Sequence, residues 1–195
     1  MPTTPRPIER ADAARNRARI LATASRLFAE RGVEAVTMDE IAAAAGVGKG
    51  TLFRRFGDRA GLALALLDGS ERALQEAILR GPPPLGPGAP APERLTAFLV
   101  ALLALLEEHT DLIVCSETAA PGARYRSGPH AAWRMHVAVL LREARPGADA
   151  ELLAEAILAP LAADLYRHLR RDRGIPAERI RAMVGELASR VSRPT

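Results

Sequence analysis

Residues 37–56 read Thr37-Met38-Asp39-Glu40-Ile41-Ala42-Ala43-Ala44-Ala45-Gly46-Val47-Gly48-Lys49-Gly50-Thr51-Leu52-Phe53-Arg54-Arg55-Phe56. Thr37 followed three residues later by Glu40 is a capping box: the hydroxyl accepts from the backbone N–H of residue 40, and the carboxylate reaches back. The pattern predicts a short helix over 38–44 that presents Ile41 and a row of small alanines. Gly46 then breaks it, in a turn (Ala45-Gly46-Val47) that needs a residue tolerant of unusual φ. A second short helix is predicted from about 48 to 54 or 55. Two short helices about a glycine turn, behind a preceding long helix, make a helix-turn-helix. Leu52 and Phe56 are four residues apart and can turn to a core together with Ile41. That leaves Lys49, Gly50, Thr51, Phe53, Arg54 and Arg55 for the outer face and the helix N-terminus. Such an end can enter a DNA major groove with its backbone N–H groups near phosphates.

Working outward, residues 12–31 carry Ile20, Ala24, Leu27 and Phe28 at helical spacing, with Gly32 where a C-cap belongs. Residues 1–11 hold three prolines and read as a flexible basic arm. On the other side, Phe56-Gly57-Asp58 ends the second short helix, and Asp58 can cap a helix over about 59–79. Residues 81–92 then hold six prolines and three glycines and cannot be helical. They read as a domain boundary or as a long surface loop, and the length of the helix before them favours a loop. Further helices are predicted over 93–108, 110–119, 128–144, 149–172 and 177–192, with a kink at Pro160. The sum is an all-α chain of about nine helices: an arm and helix-turn-helix domain over 1–58, then a helical domain over 59–195. In the second domain, 59–80 is the connecting helix and 81–92 the Pro/Gly-rich loop.

Composition agrees. The 195 residues include 39 Ala and 26 Leu against 9 Val and 8 Ile, so strong helix formers dominate. A single cysteine, Cys115, excludes an internal disulfide and a cysteine-based zinc site and suits a reducing cytosol. The longest uncharged apolar run, 95–106, is shorter than the roughly 18–20 residues a bilayer span requires. No apolar stretch follows the first basic residue, so no secretory signal is expected. These features point to the cytoplasm. Residues 1–60 carry 11 basic and 7 acidic side chains; the remainder carries 16 of each. The whole excess of +4 sits in the first third. It marks either a basic module for a polyanion or a solvated arginine face. Lys49 is the only lysine, placed where a phosphate or guanine contact is possible. The histidines (His109, His130, His136, His168) stand at no metal-ligand spacing. No nucleophilic triad, phosphate loop or carboxylate pair stands out, so catalysis is not expected, nor is a cofactor or metal.

Residues 16–62 resemble the DNA-binding domain of TetR-family transcriptional regulators. The resemblance is carried by Ile20–Ala24, by Leu27-Phe28-Ala29-Glu30-Arg31-Gly32, by Thr37–Ala42, and by the unbroken run from Ala45 to Phe56 with Asp58 and Arg59. It implies that Thr37 binds a phosphate, and that Gly48, Lys49, Gly50 and Thr51 face the groove. Phe53 stands where the family usually has Tyr, which removes a phosphate-binding hydroxyl. Arg54 and Arg55 replace a frequent His or other polar residue and can add phosphate contacts. Arg59, where Lys is common, would clamp a phosphate. Gly48 replaces Ser or Thr, losing a side-chain cap worth a few tenths of a kcal/mol, and Gly57 replaces a frequent Pro.

The resemblance further implies a bacterial regulator, a repressor, that binds a palindromic operator as a homodimer and is released by a small-molecule effector. Two apolar stripes suit dimerisation: one includes Leu161 and Leu165, the other Ile180, Val184, Leu187 and Val191. The same stripes could instead complete the core of one subunit. Among the central helices, Phe98, Leu102, Trp133, His136 and Val137, with Glu117 and Tyr125, are candidates to line an apolar pocket with a few polar groups. Ordinary core packing is the alternative for each. A non-sequence-specific DNA binder without effector is the competing function; it predicts salt-dependent binding with little sequence preference.

Overall fold

The computed structural model describes residues 7–193, with side chains described from Asp12 onward. It is all-α, with no strand among the described residues. The chain divides into two units, residues 1–66 and 67–195. The division falls inside a helix rather than at its start, where the sequence had suggested it.

In the N-terminal unit, α1 spans Pro7–Arg31, α2 Met38–Ala44 and α3 Lys49–Phe56. Helix α1 begins earlier than predicted. A proline at the first helical position lacks only an N–H that would have had no partner there, so Pro7 starts the helix instead of extending the arm. The rest of the predicted arm, residues 1–6, lies outside the described residues. Ile20, Ala24, Val36, Ile41 and Leu52 are fully withdrawn from water, with Phe28, Val33 and Met38 around them. Helix α4, Arg59–Arg80, opens in this unit, where Asp58 Oδ1 accepts the Gly61 N–H at 2.8 Å. Its Leu62 and Ala63 are fully buried. They carry the first unit past the predicted boundary.

The second unit is organised around α5, Ala91–Glu117. The sequence predicted two helices here, 93–108 and 110–119, and α5 is indeed two helical segments that meet at a kink at His109 (φ −121°, ψ 24°), where the backbone leaves helical geometry. Leu95, Phe98, Leu99, Leu102, Leu103 and Leu106 put a continuous apolar face of α5 into the core. A four-residue turn of helix, α6 (Ala123–Arg126), was not foreseen. It leads to α7, Gly128–Ala144, capped by Ser127. Helix α8, Ala150–Leu158, is capped by Asp149. As predicted, the chain breaks at Pro160, which can neither donate an N–H nor tolerate the carbonyl of the preceding turn. A 3₁₀ turn over Ala159–Leu161 leads to α9, Ala163–Arg167, which runs on into a π turn, His168–Asp172. Helix α10 covers Ala177–Val191. Helix α5 packs on α7, α9 and α10, and α7 lies along α8. The Pro/Gly-rich stretch is a loop within this unit, and its Leu85 packs against the core.

The apolar stripe of α10 turns inward. Ile180 and Val184 are buried in the core of the subunit, as is Leu161, while Leu187 and Val191 are partly buried against it. Of the six residues predicted to meet a second copy, Leu165 is the exposed one. The physical reason is simple: α10 needs that face to cover α5, and its opposite face carries Glu178, Arg179, Glu186 and Arg190.

Candidate nucleic-acid interface and ligand cavities

The turn between α2 and α3 is fixed from three sides. Gly46 takes φ +63°, a conformation that L side chains rarely adopt. The Val47 N–H donates to Ala42 O at 3.0 Å. From α1, Arg19 Nε donates to Ala45 O at 2.9 Å. Two successive helices are thereby held in one geometry, which a groove-reading element requires.

Thr37 caps α2 as predicted. Its Oγ1 accepts the Glu40 N–H at 3.2 Å, and Glu40 Oε2 accepts from both the Thr37 N–H and its hydroxyl at 2.8 Å. Arg31 pairs with the same carboxylate at 2.8 Å. The Thr37 backbone and side-chain hydrogen bonds, with Arg31, hold Glu40 down to about 2. The Thr37 hydroxyl proton is therefore engaged within the domain, and an incoming phosphate would have to compete for it.

On α3, Lys49, Gly50, Phe53, Arg54 and Arg55 are exposed, Gly48 is the exposed N-cap, and Thr51 is half-buried. Gly48 supplies no side-chain cap, as its lack of a hydroxyl predicts. Lys49 Nζ sits 2.7 Å from Asp39 Oδ2, in the first turn of α2, and 5.7 Å from the centroid of the Phe53 ring. Phe53, 39% exposed, thus flanks the one lysine rather than packing in the core. Two arginines brace the domain: Arg55 Nη1 donates to Ala13 O at 2.6 Å, and Arg59 Nη1 to Glu34 O at 2.9 Å. Each guanidinium has five N–H donors, so such a bond leaves others for a phosphate. The structure brings Lys49, Gly50, Phe53 and Arg54 onto one exposed face. Asp39, which positions Lys49, was missed. Its signal was present in the sequence as the first-turn acid of α2.

In the helical unit, the ring of Phe98 lies 5.8 Å from that of Trp133 and 4.9 Å, edge-on, from that of His136. Val137 is buried beside them and Leu102 is nearly so. These predicted pocket residues come together as a packed wall. His136 Nε2 is buried and meets no hydrogen-bond partner among the described residues. Desolvation, with Arg94 nearby, pushes the imidazole down to about 4. Two predicted lining residues lie elsewhere. Tyr125 is 65% exposed and meets His130 edge-on. Glu117 pairs with Arg124 at 2.8 Å and accepts the Ala163 N–H at 3.0 Å, while Arg124 also donates to the carbonyls of Leu158 and Leu161. This network closes the break after α8, so Glu117 works for the fold.

Open space lies outside that wall. A cavity of about 290 Å³ is lined by Asp68, Glu71, Arg72 and Gln75 of α4 and by Gly128, Pro129, Ala132 and Trp133 of α7. A second, of about 530 Å³, lies between Pro84, Glu93, Thr96 and Ala97 on one side and Ser189, Ser192 and Arg193 on the other. Trp133 alone of the predicted lining residues reaches either. The acidic face of α4 was missed because its i, i+3, i+4, i+7 polar spacing reads as an ordinary solvated stripe.

Comparison with known proteins locates the N-terminal motif. The model of the family described as "Bacterial regulatory proteins, tetR family" matches residues 20–66. An HTH-type transcriptional regulator of Staphylococcus aureus (strain USA300) is 49% identical over 53 residues, 27% of this chain and 29% of that protein. The chain thus matches under a third of the length of such curated relatives. A crystal structure from Rhodococcus sp., described as a TetR-family transcriptional regulator, superposes with a TM-score of 0.64 at 23% identity, covering 91% of this chain and 99% of that one. A structure from Saccharomonospora viridis, described as a transcriptional regulator in complex with choline, gives 0.62 at 22% identity, covering 89% and 95%. At such identities the likeness is one of fold, and it extends over both units.

Proposed function

From an N-terminal domain that belongs to the tetR family of bacterial regulatory proteins, we propose that this chain is a cytoplasmic transcriptional repressor. It binds a palindromic operator as a homodimer and leaves it when a small molecule occupies the helical domain. The observation that carries the reading is the braced helix-turn-helix with Lys49, Gly50, Phe53 and Arg54 on one exposed face. Lys49 and Thr51 are assigned to base or near-base contacts. Thr37, Gly48, Arg54, Arg55 and Arg59 serve the phosphates, Thr37 after exchanging its hydroxyl bond to Glu40.

One recognition helix reads too few bases for useful specificity, whereas a two-fold pair reads half-sites about 34–36 Å apart or a multiple of that. Exposed apolar side chains on the helical domain support a second copy: Met135 and Val139 on α7, Leu152 on α8 and Leu165 on α9. Effector release is supported by the cavity beside Trp133, one wall of which is α4, a helix continuous in sequence with the DNA-binding domain.

The test is selection of random duplex DNA by the purified protein beside a Lys49→Ala, Thr51→Ala double variant. Recovery of an inverted repeat by the parent protein alone is the expected result. Equal, motif-free binding by both would make the protein a non-specific DNA binder instead.

A further inference from the structure

Helix α4 presents Asp68, Glu71, Arg72 and Gln75 at i, i+3, i+4 and i+7 to the 290 Å³ cavity. This is just below the roughly 300–1,000 Å³ of drug-sized ligand sites, so it suits a small ligand. The charges are not equivalent. Arg72 Nε donates to Asp68 Oδ1 at 2.9 Å, so these two largely neutralise each other. Glu71 has no hydrogen-bond or ion-pair partner among the described residues, yet it is half-buried. The facing wall, from α7, holds Gly128, Pro129, Ala132 and Trp133 and brings no titratable group. The first turn of α7 offers little to an anion: the His130 N–H is taken by Ser127 Oγ, the Ala131 N–H by Ser127 O, and Pro129 has none. The cavity therefore pairs one uncompensated carboxylate with the π-face donor of highest cation affinity, an indole.

We propose that this cavity binds a small organic cation, a substituted ammonium, between the Glu71 carboxylate and the Trp133 ring. The site deepens the reading above by naming the effector class, and it rests on that reading for its regulatory meaning. Burial, with Asp68 adding repulsion, pushes Glu71 up to about 7. An arriving cation supplies the missing counter-charge, so binding favours the ionised carboxylate and expels a proton near neutrality.

Trp133 is the only tryptophan in the chain, so its fluorescence reports on this cavity. The test titrates tetramethylammonium chloride, and uncharged tert-butanol of similar shape, into the full-length protein at constant ionic strength. Expected are saturable quenching by the ammonium alone and an affinity that levels off above pH 7. Below pH 7 it should fall by about tenfold per pH unit. Glu71→Gln should weaken binding at least tenfold at pH 8 and abolish its pH dependence; Asp68→Asn should weaken it less. Equal binding of both probes, or an unchanged pH profile in Glu71→Gln, overturns the site. So does absence of binding by protein that still selects its operator. Cation binding that leaves operator affinity unchanged keeps the site and removes its role as effector.

Discussion

Lys49 and Asp39 form an exposed ion pair across the helix-turn-helix. Such pairs are worth about 0–1 kcal/mol, so the fold does not depend on it. Its weight falls on recognition: Asp39 holds the ammonium in place but sets a negative charge near the phosphates. Asp39→Asn should therefore leave the melting temperature nearly unchanged, tighten DNA binding several-fold, and steepen the salt dependence, read by fluorescence anisotropy across a salt series. Thr37 differs, because its hydroxyl and backbone close the capping box. Thr37→Ala should cost about 1 kcal/mol of N-terminal domain stability by urea melts. Glu40, held at about 2, adds a pH signature. A carboxylate whose folded value is depressed stabilises above its unfolded value of 4.5 and loses that contribution as pH falls toward 2. Glu40→Gln should flatten the stability profile within that window.

At the scale of elements, local signals were legible and distant ones were not. The capping box, the glycine turn, the Asp58 cap and the Pro160 break each lie within a few residues of the structure they dictate, and each was readable. Glu117 shows the limit. On its helix it was a polar residue near an apolar face, and a pocket was a fair expectation; its partners are Arg124, 7 residues away, and Ala163, 46 residues away. The stripe of α10 meets the same limit, since periodicity shows that a face is apolar but not which neighbour covers it. The α4 cavity was illegible because it exists only where α7 stands opposite. The Glu117–Arg124 pair is mostly shielded from solvent, so removing one partner strands the other. Arg124→Ala should cost about 2–3 kcal/mol, and Glu117→Gln with Arg124→Met should recover part of that loss, a double-mutant cycle by urea denaturation.

Over the helical domain as a whole, two half-buried titratable groups oppose each other. Glu71, raised to about 7, binds more protons when folded, so it lowers stability as pH rises from 4.5 to 7. His136, lowered to about 4, binds fewer, so it raises stability as pH rises from 4 to 6.5. Their slopes cancel over much of the mildly acidic range. Taken as differences from the parent chain, His136→Phe should leave stability falling with pH across that range, and Glu71→Gln should leave it rising. Each effect should be about 1 kcal/mol once solvent screening is allowed for.

A chain with 26 arginines and one lysine carries a single side-chain amine, and α3 displays it. Acylating reagents that ignore guanidinium groups would single out Lys49 among the side chains. Acylation erases the charge on which both Asp39 and a DNA phosphate would draw. The same reagent can thus serve as a footprint, with bound operator shielding the amine, and as a covalent off-switch. Mass spectrometry would read the first use and loss of operator binding the second, without any substitution in the chain.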